Sequence, residues 1–265
     1  MLLALSCVLA ATSSNAAMNL LERSRKNCVQ VASEAGSSRG TGFFIAPDYV
    51  ATCFHVISSI AIEGNNVRWN IYTDLKVKTE SGEIIDATCV SPPNRFGSEP
   101  LQFDFAILKL KSKPKNAPEI VKLSDSAYRP DVGNDVVFSG YPLATPAMVT
   151  HKGMVSGLGV NNSIICIQAP VNKGNSGGAL LAPNGEACGI INMREGGISQ
   201  GLQQLSKYID ESKKHGSVAI MGVDPLAVFN EVIGTLDTYI STGIGYARTT
   251  QHLRDYISAH PEILK

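Results

Sequence analysis

Val171-Asn172-Lys173-Gly174-Asn175-Ser176-Gly177-Gly178-Ala179-Leu180 is apolar at its ends and small, Gly-rich and singly hydroxylated in the middle. Three glycines in five residues weaken both helix and strand, so the segment reads as a tight turn between extended stretches. Without side chains in the way, neighbouring N–H groups of such a turn can converge on one point beside the hydroxyl. That is the arrangement of an oxyanion hole next to a nucleophile, here Ser176 with the N–H groups of Gly174, Asn175 and Ser176 as candidates. The same residue types also make ordinary surface turns. The chemical reading therefore requires a base elsewhere in the chain, and a group that orients it.

Working outward, both are found. Gly40-Thr41-Gly42-Phe43-Phe44-Ile45-Ala46 and Tyr49-Val50-Ala51-Thr52-Cys53-Phe54 are β-rich runs around a Pro47-Asp48 turn, and they lead to His55. Phe103-Asp104-Phe105-Ala106-Ile107-Leu108-Lys109-Leu110 sets one carboxylate at the head of an apolar strand. The chain order His55, Asp104, Ser176 is one of the three known orders of the Ser-His-Asp constellation. Asp48, Asp74 and Asp86 are rival carboxylates, but none precedes such an apolar run. Gly174-Asn175-Ser176-Gly177-Gly178 also fits the Gly-x-Ser-x-Gly of an esterase-type hydrolase. That fold needs a downstream His, and His215 and His252 have weaker contexts than His55.

Together these segments resemble the HtrA/DegP-type trypsin-like serine proteases. Gly40-Thr41-Gly42-Phe43, His55-Val56, Asp104 to Lys109 and Gly174 to Leu180 match that family's motifs. So do Phe138-Ser139-Gly140-Tyr141-Pro142-Leu143, Gly153-Met154-Val155-Ser156 and Gly243-Ile244-Gly245-Tyr246-Ala247. The resemblance spans roughly residues 28 to 250 and is specific as a set. It implies an all-β fold of two six-stranded antiparallel barrels, and a serine endopeptidase with His55, Asp104 and Ser176 catalytic. It also implies a substrate pocket lined by Val171, Asn172, Ile191, Asn192 and Met193. No acidic residue lies about six positions before Ser176, where Ala169 and Pro170 stand, so a small or medium aliphatic P1 residue is expected rather than Lys or Arg. The alternative is a non-catalytic binding or chaperone-like protein on the same scaffold. No PDZ domain is expected after the protease region.

The 265 residues suit one two-lobed unit. Residues 18–112 are expected to form the first barrel, 113–132 a linker rich in Lys, Pro and Ser, 133–248 the second barrel, and 249–265 a terminal helix. Strands are expected over Cys28–Ala32, Val67–Val77 and Glu83–Val90 in the first lobe. In the second they are expected over Ala147–Thr150, Met154–Val160 and Glu186–Asn192, with turns at Asn161-Asn162 and Asn184-Gly185. The family joins its last two strands by a short loop. Here Leu202, Leu205, Tyr208 and Ile209, then Leu226, Phe229, Val232, Ile233, Leu236 and Tyr239, recur at helical spacing. Two inserted helices are expected over about 198–240, the second begun by Asp224-Pro225. They are read either as packing on the barrel wall or as a lid over the cleft.

Lys and Arg number 23, matching 23 Asp and Glu, so no basic stripe points to nucleic acid. Residues 1–17 carry an apolar run, Leu2 to Ala11, and small residues suited to cleavage. They read as a secretory signal without the usual positive n-region, and imply a secreted or periplasmic protein with no membrane span once mature. Of six cysteines, Cys7 would leave with that segment, and no Cys-x-x-Cys pair suggests zinc. The remaining cysteines read as small buried hydrophobes, with a disulfide such as Cys166 to Cys188 left open. No metal, nucleotide or flavin cofactor is signalled. The substrate is expected to be protein or peptide, and an oligomer is possible.

Overall fold

The computed structural model describes residues 20–63, 66–91, 103–125, 128, 130–159, 163–194, 199–216, 219–240 and 242–264. The expected signal segment and the Asn161-Asn162 turn lie outside them.

The chain closes two antiparallel barrels of six strands each, which is the all-β double barrel expected. The first takes β1 (Cys28–Ser33), β2 (Ser38–Ala46), β3 (Tyr49–Thr52), β6 (Lys76–Lys78), β7 (Ile84–Cys89) and β8 (Ala106–Leu110), in the order β1-β2-β3-β8-β7-β6. The second takes β9 (Asp135–Gly140), β10 (Val149–Leu158), β11 (Ile164–Gln168), β12 (Ala179–Leu181), β13 (Ala187–Arg194) and β14 (Ile244–Thr249), in the order β10-β11-β14-β13-β12-β9. β-Branched and aromatic residues fill both interiors. Phe43, Phe44, Tyr49, Val50, Ile107 and Leu108 are buried in the first, and Phe138, Val155, Ile165, Ile167, Leu180 and Ile191 in the second. Each such side chain contributes about 1.5–3 kcal/mol on burial.

Two strand expectations are corrected. The Val67–Val77 run is two strands. Its first half belongs to β5 (Asn66–Ile71), which pairs with β4 (Ser58–Glu63) as a separate ribbon, and only Lys76–Lys78 closes the barrel. The change comes at Tyr72-Thr73-Asp74, where the Tyr72 N–H donates to Ile57 O and the Asp74 carboxylate accepts from Ser33 and from the Ala35 N–H. Conversely, the two strands expected at Ala147–Thr150 and from Met154 onward are joined in one, β10, over Val149–Leu158. Gly153 does not break it: a Cβ there would meet Gln168 O at 2.8 Å, so the glycine permits close packing against β11.

Residues 111–125 carry no strand but are stitched to both barrels. Val121 N–H donates to Phe44 O, and Ala187 N–H donates to Lys122 O. The terminal helix Gln251–Ala259 follows the second barrel yet packs its buried Leu253 into the core of the first. The Phe105 and Tyr256 rings meet edge to face at 5.6 Å, and Phe103 lies 4.1 Å from the His252 ring.

The inserted helices are Gln200–Lys213 and Pro225–Tyr239. Ser199 caps the first. The Asp224 carboxylate caps the second, accepting from the Leu226 and Ala227 N–H groups at 2.9 and 3.3 Å, with Pro225 in the first turn. Asn230 of the second bonds Ser206 and Asp210 of the first, and each helix buries one isoleucine, Ile209 and Ile233. No helix among the described residues is long and apolar enough to cross a membrane. All five described cysteines are unbridged, and Cys28, Cys53 and Cys188 are buried. Burial pushes the Cys188 thiol up to about 12.

Candidate active site

The three residues singled out by sequence come from three separate bends. His55 sits in a single 3-10 turn, Phe54–Val56, just after β3, anchored by buried Phe54 and Val56 on either side. Asp104 immediately precedes β8's approach and has a positive φ of 43°. That region is costly for a residue other than glycine and is held only by its surroundings. Here Phe103 and Phe105, on each side, are gripped by the terminal helix. The Asp104 carboxylate is buried. Its Oδ1 accepts from the His55 backbone N–H at 3.0 Å and its Oδ2 bonds His55 Nδ1 at 2.7 Å. The acid therefore fixes both the position and the tautomer of the ring, leaving Nε2 free to accept a proton.

Ser176 lies in the turn before β12. Its hydroxyl donates to the Asn192 backbone carbonyl at 2.8 Å, and among the described residues it makes no hydrogen bond to His55. Asn192 links the two halves, because its side-chain amide donates to Asp104 Oδ2. The expected row of three is thus a row of four. Sequence reading placed Asn192 in the substrate pocket; its amide is buried and turned to the acid. Nothing in the local sequence signals this, since the partner lies 88 positions away.

The glycine turn is held by steric necessity at two points. Gly174 has φ of 99°, and a Cβ there would lie 2.2 Å from Tyr141 O. Gly177 has φ of 94°, and a Cβ would lie 2.0 Å from Thr41 O. The Lys173 carbonyl accepts from the Leu143 N–H at 2.7 Å. In a trans peptide the C=O and N–H point opposite ways, so this bond turns the Gly174 N–H away from Leu143. Leu143 itself has a positive φ of 53°. Neither the Gly174 nor the Ser176 N–H has an acceptor among the described residues, whereas the Asn175 N–H is spent on Asn172 O at 3.0 Å. Of the three donors considered, Gly174 and Ser176 are the pair available to a ligand. The Asn175 side chain is wholly buried, and its amide has no hydrogen-bond partner among the described residues.

Thr41 joins the barrels. Its hydroxyl donates to Gly174 O at 2.6 Å and accepts from the Tyr141 N–H at 3.1 Å, and its N–H donates to Ser176 O at 2.8 Å. Sequence reading met Thr41 only as the middle of a Gly-Thr-Gly motif. A polar residue between two glycines in an apolar strand was the available signal. Cys53, two residues before His55, donates its thiol to Ile191 O at 3.2 Å. Burial, then the Asp104 charge, pushes that thiol well above its ordinary range. Among the remaining pocket candidates, Val171 and Ile191 are buried in the second core, Asn172 is half-buried, and Met193 is exposed.

The chain is similar to several known proteins. The trypsin-like peptidase domain family matches residues 40–190. The putative protease Do-like 14 of Arabidopsis thaliana is 31% identical over 199 residues, covering 69% of this chain and 43% of that protein. The periplasmic serine endoprotease DegP of Salmonella typhimurium is 36% identical over 208 residues, covering 70% and 39%. The chain spans about two fifths of the length of these curated relatives. The serine endoprotease from Yersinia pestis superposes with a TM-score of 0.55 at 21% identity, over 91% of this chain and 64% of that one. The Rv3671c protease in its inactive form gives 0.55 at 18% identity over 91% of both chains. At such identities the two structures speak for the fold. From the family match and the homologues together, this chain belongs to the trypsin-like peptidase family and is a homologue of the DegP/HtrA proteases.

Proposed function

We propose that the chain is a serine endopeptidase that hydrolyses peptide bonds in protein or peptide substrates. The observation that carries this reading is the buried Asp104 carboxylate, bonded at 2.7 Å to His55 Nδ1 and bridged through Asn192 to the Ser176 hydroxyl. In the reaction, Ser176 Oγ leaves Asn192 O and bonds His55 Nε2. His55 takes its proton as Oγ attacks the scissile carbonyl, then returns it to the leaving amine. Asp104 holds the ring and stabilises its cation. The Gly174 and Ser176 N–H groups receive the oxyanion, each such donor being worth roughly 3 kcal/mol in the barrier. No step calls for a cofactor.

The pocket reading favours small or medium aliphatic P1 residues, supported by Ala169 and Pro170 standing about six positions before Ser176, where an acidic residue would favour Lys or Arg. Export to the periplasm or beyond is in keeping with relatives named as periplasmic endoproteases. The domain bounds given above, with the inserted helices beside the cleft, complete the proposal. One observation favours a second reading, a non-catalytic scaffold: the Ser176 hydroxyl is bonded to a carbonyl rather than to the base. A peptide-library cleavage profile with Ser176→Ala as control separates the two. Cleavage after Val, Ala or Leu that Ser176→Ala lacks is the expected result. Cleavage after Lys or Arg overturns the pocket assignment, and no Ser176-dependent cleavage overturns the enzyme.

A further inference from the structure

The thiol of Cys53 faces the same space as the His55–Asp104 pair. Cys53 Sγ, a ring nitrogen of His55 and a carboxylate oxygen of Asp104 all lie within 4.8 Å of one another. Thiol, imidazole and carboxylate are a donor set suited to zinc-type cations. Bond lengths of about 2.0–2.3 Å in a tetrahedral site put ligand atoms roughly 3.3–3.6 Å apart. Cys53 would have to close in by about 1.2 Å at most, and the 2.7 Å imidazole–carboxylate pair to open by about 0.6 Å, to reach that spacing. Asp104 Oδ1 accepts from the His55 N–H, so the ligand oxygen is Oδ2, which also accepts from the Asn192 amide and has a further lone pair for an ion. Three ligands with an open fourth position is the coordination at which zinc also holds a water.

We propose that Cys53, His55 and Asp104 form an inhibitory site for a thiophilic divalent cation of the zinc class. The ion takes the place of the hydrogen now shared between His55 Nδ1 and Asp104. Its functional consequence rests on the reading of His55 as the general base. On binding, the Cys53 S–H proton leaves to solvent, and the imidazole proton moves from Nδ1 to Nε2. No electron changes hands, and the net release is one proton. A ring protonated at Nε2 donates there instead of accepting, so Ser176 loses its base. Entry is from the cleft past the imidazole, whose side chain is 41% exposed, whereas that of Asp104 is 6% exposed and Cys53 is sealed. Cys53 makes the difference from an ordinary His-Asp pair, which offers two ligands. The site escaped the cysteine spacing rules because its carboxylate comes from 49 residues beyond the histidine.

The test is a titration of chelator-buffered Zn2+ into wild-type, Cys53→Ala and Cys53→Ser proteins, with bound metal counted and peptidase activity followed. Cd2+ is run in parallel to read the thiolate-to-metal absorption band. Both metals are also run on Ser176→Ala protein, which has no activity to lose, so a failed protease reading cannot be mistaken for a failed metal site. Expected are one equivalent bound at micromolar free Zn2+, a thiolate–Cd2+ band absent from both Cys53 variants, and EDTA-reversible inhibition. Each Cys53 variant loses at least about tenfold in Zn2+ affinity, counted as bound metal and so read independently of its activity without metal. Cys53→Ser covers the case in which the alanine variant does not fold. Equal Zn2+ affinity in wild type and variants, or no Cys53-dependent band, overturns the proposal.

Discussion

At the seam between the barrels, Thr41, Cys53, Asp104 and Asn192 are all buried, and each bonds a residue from a distant part of the chain. In the inserted helices, Tyr208, Phe229 and Tyr239 are each more than half exposed, and the bonds between the helices run largely through one residue, Asn230. The insertion reaches the glycine turn by an exposed ion pair, Lys173 to Asp237 at 2.5 Å. Buried polar contacts fix one geometry because breaking one strands a desolvated group. Exposed contacts are replaced by water at little cost. The seam is therefore the rigid part that can hold reacting atoms, and the insertion is the part free to vary.

The largest contrast is in activity. Ser176→Ala should remove peptidase activity by on the order of a millionfold while the thermal midpoint stays put, as read by kcat/KM and a melting curve. Loss of structure in this variant would mean that the hydroxyl is a scaffold element. Next comes packing. Phe105→Ala, at a buried ring beside Asp104, should cost about 3–5 kcal/mol, and Phe229→Ala in the insertion no more than about 0.5 kcal/mol. Equal costs by denaturant unfolding would erase the distinction between the regions.

A smaller pair compares single bonds. Asn192→Ala strips the amide from Asp104 and should lower kcat/KM by about 1.5–3 kcal/mol, roughly ten- to a hundredfold. Asp237→Asn, which breaks the Lys173 pair at an exposed position, should cost under about 1 kcal/mol. A greater loss from Asp237→Asn would make the insertion a working part of the glycine turn.

The smallest effect is on acid stability. Burial holds His151 and His252 below the ordinary value of 6.5, and both stack against rings, Phe138 and Phe103. Below that value the unfolded chain binds protons that the folded chain refuses. Stability therefore rises with pH and is lost as pH falls through 6.5 toward the folded-state values. His151→Phe and His252→Phe should each flatten the drop in thermal midpoint between about pH 7.5 and about pH 5. An unchanged slope in both would remove these histidines from the account.

What could be read from sequence follows the same division. Gly174 and Gly177 were legible because their turn admits no side chain, and His55 and Asp104 because each sits at the edge of a strong apolar strand. The two inserted helices were legible from periodicity and from Asp224-Pro225. Asn192, Thr41 and Leu143 were not, because their roles depend on partners brought together only when both barrels close. The split of Val67–Val77 was missed for a related reason: β5 and β6 are both β-prone, and only their pairing partners distinguish them.

The most direct test of the central claim is covalent labelling by a phosphonofluoridate, followed by peptide mass mapping. The account predicts one adduct per chain, on Ser176, with its rate of formation collapsing in His55→Ala. An unlabelled wild-type protein with intact barrels, or equal labelling of Ser176 in His55→Ala, would contradict it.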